Sequence, residues 1–121
     1  MEEFRDRFDR IILIDVDDSD ARAFYEGQEV GLVQTTGILD ADDPRLAAPA
    51  EITWMGVDPS FQRAGIGLEL IKRLAEHLDR LNPARRDRGI GGENAMTPEG
   101  YALTVKAQTS GYVRPFSENR W

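Results

Sequence analysis

The sequence predicts an α/β (more narrowly α+β) fold, one sheet with an amphipathic helix packed on it. Three observations carry this. Between residues 10 and 36, short runs of β-forming residues alternate with clusters of turn residues. A further run of this kind, residues 51–57, is followed by a helical pattern over residues 65–81. The chain has 121 residues, the length of one ordinary domain, so residues 1–121 are expected to form a single unit around one core.

The first predicted strand covers residues 10–17, where Ile11, Ile12, Leu13, Ile14 and Val16 are concentrated, and Asp17-Asp18-Ser19-Asp20 stops it. The second covers 21–26 and the third 29–36, with a turn near Gly27, which gives an antiparallel meander. Residues 37–50 read as a loop. Period-two alternation in the fourth strand, 51–57, puts Glu51, Thr53, Met55 and Val57 on one face. Ile52, Trp54 and Gly56 fall on the other, which makes Trp54 a core residue. Asp58-Pro59 ends this strand. In the helix, Ile66, Leu70, Leu74 and Leu78 repeat at four-residue spacing until Asn82-Pro83. Residues 83–96 read mostly as loop, with a short strand near Ile90. Thr97-Pro98-Glu99 looks like a helix start for residues 98–110, although 101–107 also suits a strand. Residues 112–116 are expected to be extended.

Composition excludes several functions. The apolar share of 40% and charged share of 31% are those of a globular protein, and no run is long enough to span a membrane. The charged N-terminus does not suit a signal peptide, so a cytoplasmic location is expected. There are no cysteines, which removes thiolate metal sites and acyl transfer through a thiol. The single histidine, His77, falls on an exposed helix face and cannot form a metal cluster by itself. The spacing Asp15-x-Asp17-x-Ser19 imitates a calcium loop, but Asp20 replaces the required glycine. A net charge of −7 argues against nucleic acid and weakly favours a cationic partner such as an amine.

The chemistry concentrates in Val57-Asp58-Pro59-Ser60-Phe61-Gln62-Arg63-Ala64-Gly65-Ile66-Gly67-Leu68. A strand leads to a tight turn, and a glycine-containing loop opens into an amphipathic helix. The free N–H groups and positive dipole end of a first helical turn suit a phosphate or pyrophosphate. Gly65 and Gly67 keep side chains away from those groups, and Arg63 adds charge. The plain alternative is that both glycines serve close strand-to-helix packing. Leu68-Glu69 stand where a P-loop needs Lys and Ser/Thr, and Leu70 stands where a dinucleotide loop needs its last glycine.

Gln62-Arg63-Ala64-Gly65-Ile66-Gly67 matches the [Q/R]-x-x-G-x-[G/A] motif, and Val57-Asp58-Pro59 the preceding V-x-P, of the GNAT superfamily of N-acetyltransferases. The chain resembles that family closely over residues 51–81 and more weakly over 97–116. The resemblance implies a mixed, mostly antiparallel sheet that splays after the fourth strand. It implies acetyl-CoA as acyl donor, its pantetheine arm paired with main chain near Met55 and Val57. The pyrophosphate would sit on Gln62, Arg63, Ala64, Gly65, Ile66, Gly67 and Leu68. The reaction implied is direct attack of a primary amine in a ternary complex, the acceptor being a small molecule or a protein lysine or N-terminus. Glu51 is the candidate general base, standing at the distance before the loop where histone-acetyltransferase-type members have a glutamate.

Two departures are visible. Only residues 17–20 separate the first two predicted strands, where most members carry two helices. No tyrosine occupies the last turn of the final helix, leaving solvent or Tyr112 to protonate the thiolate. These departures support a second expectation, a non-catalytic or weakly catalytic acyl-CoA-binding regulatory or partner module. A homodimer is a possible assembly. Arg85-Arg86-Asp87-Arg88 reads as a solvated loop, with the cofactor's 3′-phosphate as an alternative contact.

Overall fold

Period-two burial along successive strands produces the sheet seen in a computed structural model that describes residues 1–84 and 97–116. Its strands are β1 (Glu2–Arg5), β2 (Ile11–Val16), β3 (Asp20–Tyr25), β4 (Gln28–Thr35) and β5 (Ile52–Val57), ordered β1-β2-β3-β4-β5. Every ladder is antiparallel. A 3₁₀ turn (Pro59–Phe61) leads to helix α1 (Ile66–Leu78), and α2 (Pro98–Thr109) comes last. The α+β class and the meander are as expected. Strand β1 was not foreseen.

One face of the sheet forms the core. Ile12, Ile14, Ala21, Ala23, Val33 and Ile52 are buried there beneath Ile66, Leu70, Ile71, Leu74 and Leu78 of α1. Small residues at the centre set how closely the helix packs: a Cβ on Gly31 would already touch Ile66 Cγ2 and Leu70 Cδ1 at 3.4 Å. The opposite face leaves Ile11 and Leu13 exposed.

Trp54 corrects the expected alternation in β5. Gln34 pairs with Trp54 but Thr35 pairs with Ile52, so Thr53 is an extra, bulged residue. The bulge shifts the pleat by one residue. Ile52 stays in the core, Met55 comes to lie opposite buried Val33, and Trp54 turns outward with 52% of its surface exposed.

Helix α1 also stops earlier than the periodicity predicts. Asp79 takes φ 74°, and Leu81 and Asn82 become extended. They form parallel bridges with Val113 and Glu51 respectively. Ile52 N–H donates to Asn82 O at 3.0 Å, and Arg114 N–H donates to Leu81 O at 2.8 Å. The parallel component of the sheet is confined to these bridges among the described residues. Residues 98–109 are helical rather than a strand, and Val113 lies in the extended tail as expected. No described helix is long and apolar enough to cross a membrane.

Candidate functional site

The end of β5 sets the geometry. Asp58 N–H donates to Val30 O at 2.8 Å, which makes Val57–Gly31 and Met55–Val33 the non-hydrogen-bonded pairs of the ladder. Met55 and Val57 therefore turn their main-chain N–H and C=O groups toward the far edge of β5. Past Ile52, no described strand pairs with that edge. Gln62 takes one of these groups, its Nε2 donating to Val57 O at 3.0 Å, and so ties the loop to the strand it leaves.

The N-terminal hairpin braces the loop from the other side. Arg7 donates from its main-chain N–H to Ala64 O at 2.9 Å and from Nη1 to Arg63 O at 2.8 Å. Arg10 donates from Nη1 to Ser60 O at 3.2 Å, and its guanidinium lies 4.2 Å from the Phe61 ring centre. Asp6, only 5% exposed, accepts from Arg10 Nε at 2.7 Å and from the N–H groups of Phe8 and Arg10 at 2.9 Å. Burial pushes the Asp6 carboxyl up, but these donors and the Arg10 charge outweigh it. Its pKa lies below the ordinary carboxylate value. Sequence reasoning missed Asp6, Arg7 and Arg10. Phe4 alone among charged neighbours gave too little alternation to reveal β1.

With these carbonyls engaged, the loop presents its donors. None of the main-chain N–H groups of residues 63–68 has a hydrogen-bond partner among the described residues; the first helical bond runs from Glu69 N–H to Gly65 O at 3.1 Å. Gly65 caps the helix at φ 88° without a side-chain cap, and Arg63 takes φ 62°. A Cβ on Gly65 would meet only Phe4 Cζ, at 3.9 Å, so conformation rather than space calls for glycine. Gly67 differs: a Cβ there would stand 2.8 Å from Leu103 Cδ2 of α2. Close helix packing, the plain alternative, explains that glycine. Ala64 and Ile66 put their side chains into the core.

The loop borders a groove of about 810 Å³, closed by the end of β5 on one side and by the first turn of α2 on another. Met55, Val57, Gln62, Arg63, Gly65, Ile66, Gly67 and Leu68 line it, whereas Ala64 lies behind the loop. The charged residues of the described lining are Arg7, Arg63, Lys106 and Glu99, a local cationic excess in a chain of net charge −7. Trp54, freed by the bulge, forms part of the wall.

Glu51 stands apart. It is half-buried at the parallel bridge with Asn82, its N–H donating to Thr36 Oγ1 at 3.1 Å and its carbonyl accepting from Thr36 N–H at 3.0 Å. It does not line the groove, and neither does any described tyrosine. Tyr112 borders a different cavity, and Tyr101 stacks on Phe116. His77 is exposed, its Nε2 lying 2.9 Å from Asp18 Oδ1. The Arg85–Arg88 cluster and the strand expected near Ile90 lie outside the described residues.

No protein-family model matches the chain, and no curated protein does. Among solved structures, the ribosomal-protein-S18-alanine N-acetyltransferase from Escherichia coli is similar at 23% identity with a TM-score of 0.40. The match takes in 53% of this chain and 37% of that one, so it spans little more than a third of that enzyme's length. A likeness of this degree carries no argument about activity.

Proposed function

We propose that the groove binds acyl-CoA, with acetyl-CoA as the acyl donor for an N-acetyltransferase. The observation that carries the reading is the loop itself. The N–H groups of residues 63–68, unpartnered among the described residues, open a helix beside the cations Arg7, Arg63 and Lys106. Such an arrangement suits a pyrophosphate. The edge of β5, which past Ile52 pairs with no strand among the described residues, adds a second match. In this reading Met55 N–H, Met55 C=O and Val57 N–H, which the ladder leaves unpaired with β4, pair with the amides of a pantetheine arm, as an added strand would. Bound there, acetyl-CoA supplies an activated thioester acyl group. Glu51 is the base in this reading, accepting the proton of a primary amine directly or through water so that the neutral amine attacks in a ternary complex. The acceptor is a small molecule or a protein lysine or N-terminus.

A second reading, an acyl-CoA-binding module with little or no turnover, is favoured by two observations. Glu51 lies outside the groove lining, and no described tyrosine reaches it. One experiment separates the two. Calorimetric titration with acetyl-CoA is expected to show saturable binding, and thiol release is then followed with a panel of amines. Release that a folded Glu51→Gln variant lowers about 10²–10⁴-fold supports the enzyme. Binding without release selects the module. Absence of binding by the intact chain overturns both.

A further inference from the structure

Behind the loop lies a second, smaller cavity of about 390 Å³ between β1 and the first turns of α1. Arg7, Gly65 and Leu68 line both this cavity and the groove, so the two adjoin across the helix start. A dinucleotide-like ligand with its pyrophosphate on the loop and one arm along β5 must send its other arm away from β5. The smaller cavity lies that way.

Its charge is selective. Both carboxylates in the lining are already neutralised from outside it, Asp6 by Arg10 at 2.7 Å and Glu69 by Arg73 at 2.8 Å. Arg5 is likewise engaged, by Asp9 at 3.0 Å. Arg7 and Lys72 remain, with no carboxylate partner among the described residues. The aromatic residues in the lining are Phe4 and Tyr112, half-buried against the core. Two cations without a carboxylate partner among the described residues, beside aromatic walls, suit a phosphorylated nucleoside better than a bare anion or an apolar chain.

We infer that this cavity seats the 3′-phosphorylated adenosine of coenzyme A, with Lys72 and Arg7 taking the 3′-phosphate and Phe4 and Tyr112 flanking the purine. The inference rests on the acyl-CoA reading and shares Arg7 with it, but Lys72, Phe4 and Tyr112 are residues that reading does not need. It also moves the 3′-phosphate contact from the Arg85–Arg88 cluster, where the sequence offered it, to the N-terminal hairpin and α1. Lys72 is the residue to change, because Arg7 also braces the loop.

The test titrates the intact chain and a Lys72→Met variant with coenzyme A, dephospho-coenzyme A, adenosine 3′,5′-bisphosphate and inorganic phosphate. Melting curves establish that the variant is folded. Loss of a charge-assisted contact should weaken coenzyme A about tenfold and leave dephospho-coenzyme A unchanged. Equal effects on both ligands, or on neither, overturn the seat while the acyl-CoA reading stands. Lys72-dependent binding of the bisphosphate without any binding of coenzyme A keeps the nucleotide seat and removes the acyl-CoA reading. Inorganic phosphate binding as tightly as the bisphosphate overturns the nucleotide assignment. If no ligand binds the unmodified chain, both inferences fall.

Discussion

Helix α1 begins at Gly65, with no side chain closing its first turn, while α2 begins at Thr97, whose Oγ1 accepts from Gly100 N–H at 3.0 Å. Behind α2 stand the ordinary devices of a structural start: an N-cap, proline in the first turn and Glu99 beside the positive dipole end. Before α1 the chain instead bonds the loop's carbonyls from a distant hairpin, and the loop's N–H groups have no partner among the described residues. The burial pattern runs the other way. Helix α1 buries Ile66, Leu70, Ile71, Leu74 and Leu78 with Gly67, whereas α2 buries only Thr104 and Ala107. The well-anchored helix has the uncapped start, and the lightly anchored one closes its own. A helix held by its core face can leave donors free for a ligand; a helix held weakly cannot.

The largest expected effect comes from cutting the remote support of α1. Asp6→Asn removes a buried carboxylate from under Arg10, whose other face stays partly exposed, so the loss should be roughly 2–4 kcal/mol at neutral pH. Urea denaturation measures it. The sign with pH follows from the depressed native pKa. The stabilisation is complete above the unfolded value of about 3.9 and is lost as pH falls through the lower native value. The gap between parent and variant should therefore close in acid. Some acid sensitivity should survive in Asp6→Asn, because Ser19 N–H, then Asp20 N–H, also hold Asp17 below its ordinary value. A gap that persisted unchanged to pH 2 would mean that Asp6 does not act as a carboxylate.

A smaller effect tests the loop's own backbone. Gly65→Ala meets no close neighbour, so its cost should be that of an L-residue in the left-handed region, about 1–2 kcal/mol. Gly65→Asn should cost less, since asparagine tolerates that region better. Equal stability of all three forms, by the same denaturation curves, would show that the loop does not hold φ 88° in solution.

How far the sequence revealed these features depended on the length and regularity of each pattern. The spacing of Leu70, Leu74 and Leu78 was enough to place α1, and the runs before it placed the meander. The glycine loop was legible because it compresses a strand end, a turn and a helix start into twelve residues. Strand β1 was not legible, because Phe4 is its only apolar residue. The alternation puts Trp54 on the wrong face because one bulged residue, Thr53, inverts every alternation after it, and a bulge has no signal in a seven-residue count. Arg7 and Arg10 act across some fifty positions of sequence, on the carbonyls of Arg63 and Ser60. Local spacing cannot report such contacts. Gly67 was legible as a required glycine but not for its reason, which depends on where Leu103 arrives.

The smallest effect belongs to the self-capped helix, and it decides whether the contrast between the two starts is real. Thr97→Ala removes one acceptor for one N–H in an exposed turn, a change that typically costs about 1 kcal/mol. Pro98 still fixes the first helical residue, and Thr104 still bonds back to Gly100 O at 2.8 Å, so the helix should persist. Thr97→Asp should recover most of the loss, because a carboxylate caps as well as a hydroxyl and adds a favourable charge at the dipole's positive end. Hydrogen exchange at Gly100 N–H is the local readout: faster in Thr97→Ala, restored in Thr97→Asp. The urea midpoint gives the global one. If Thr97→Ala leaves both unchanged, the start of α2 is held by its contacts across the groove rather than by its cap. The two helix starts would then depend alike on remote support.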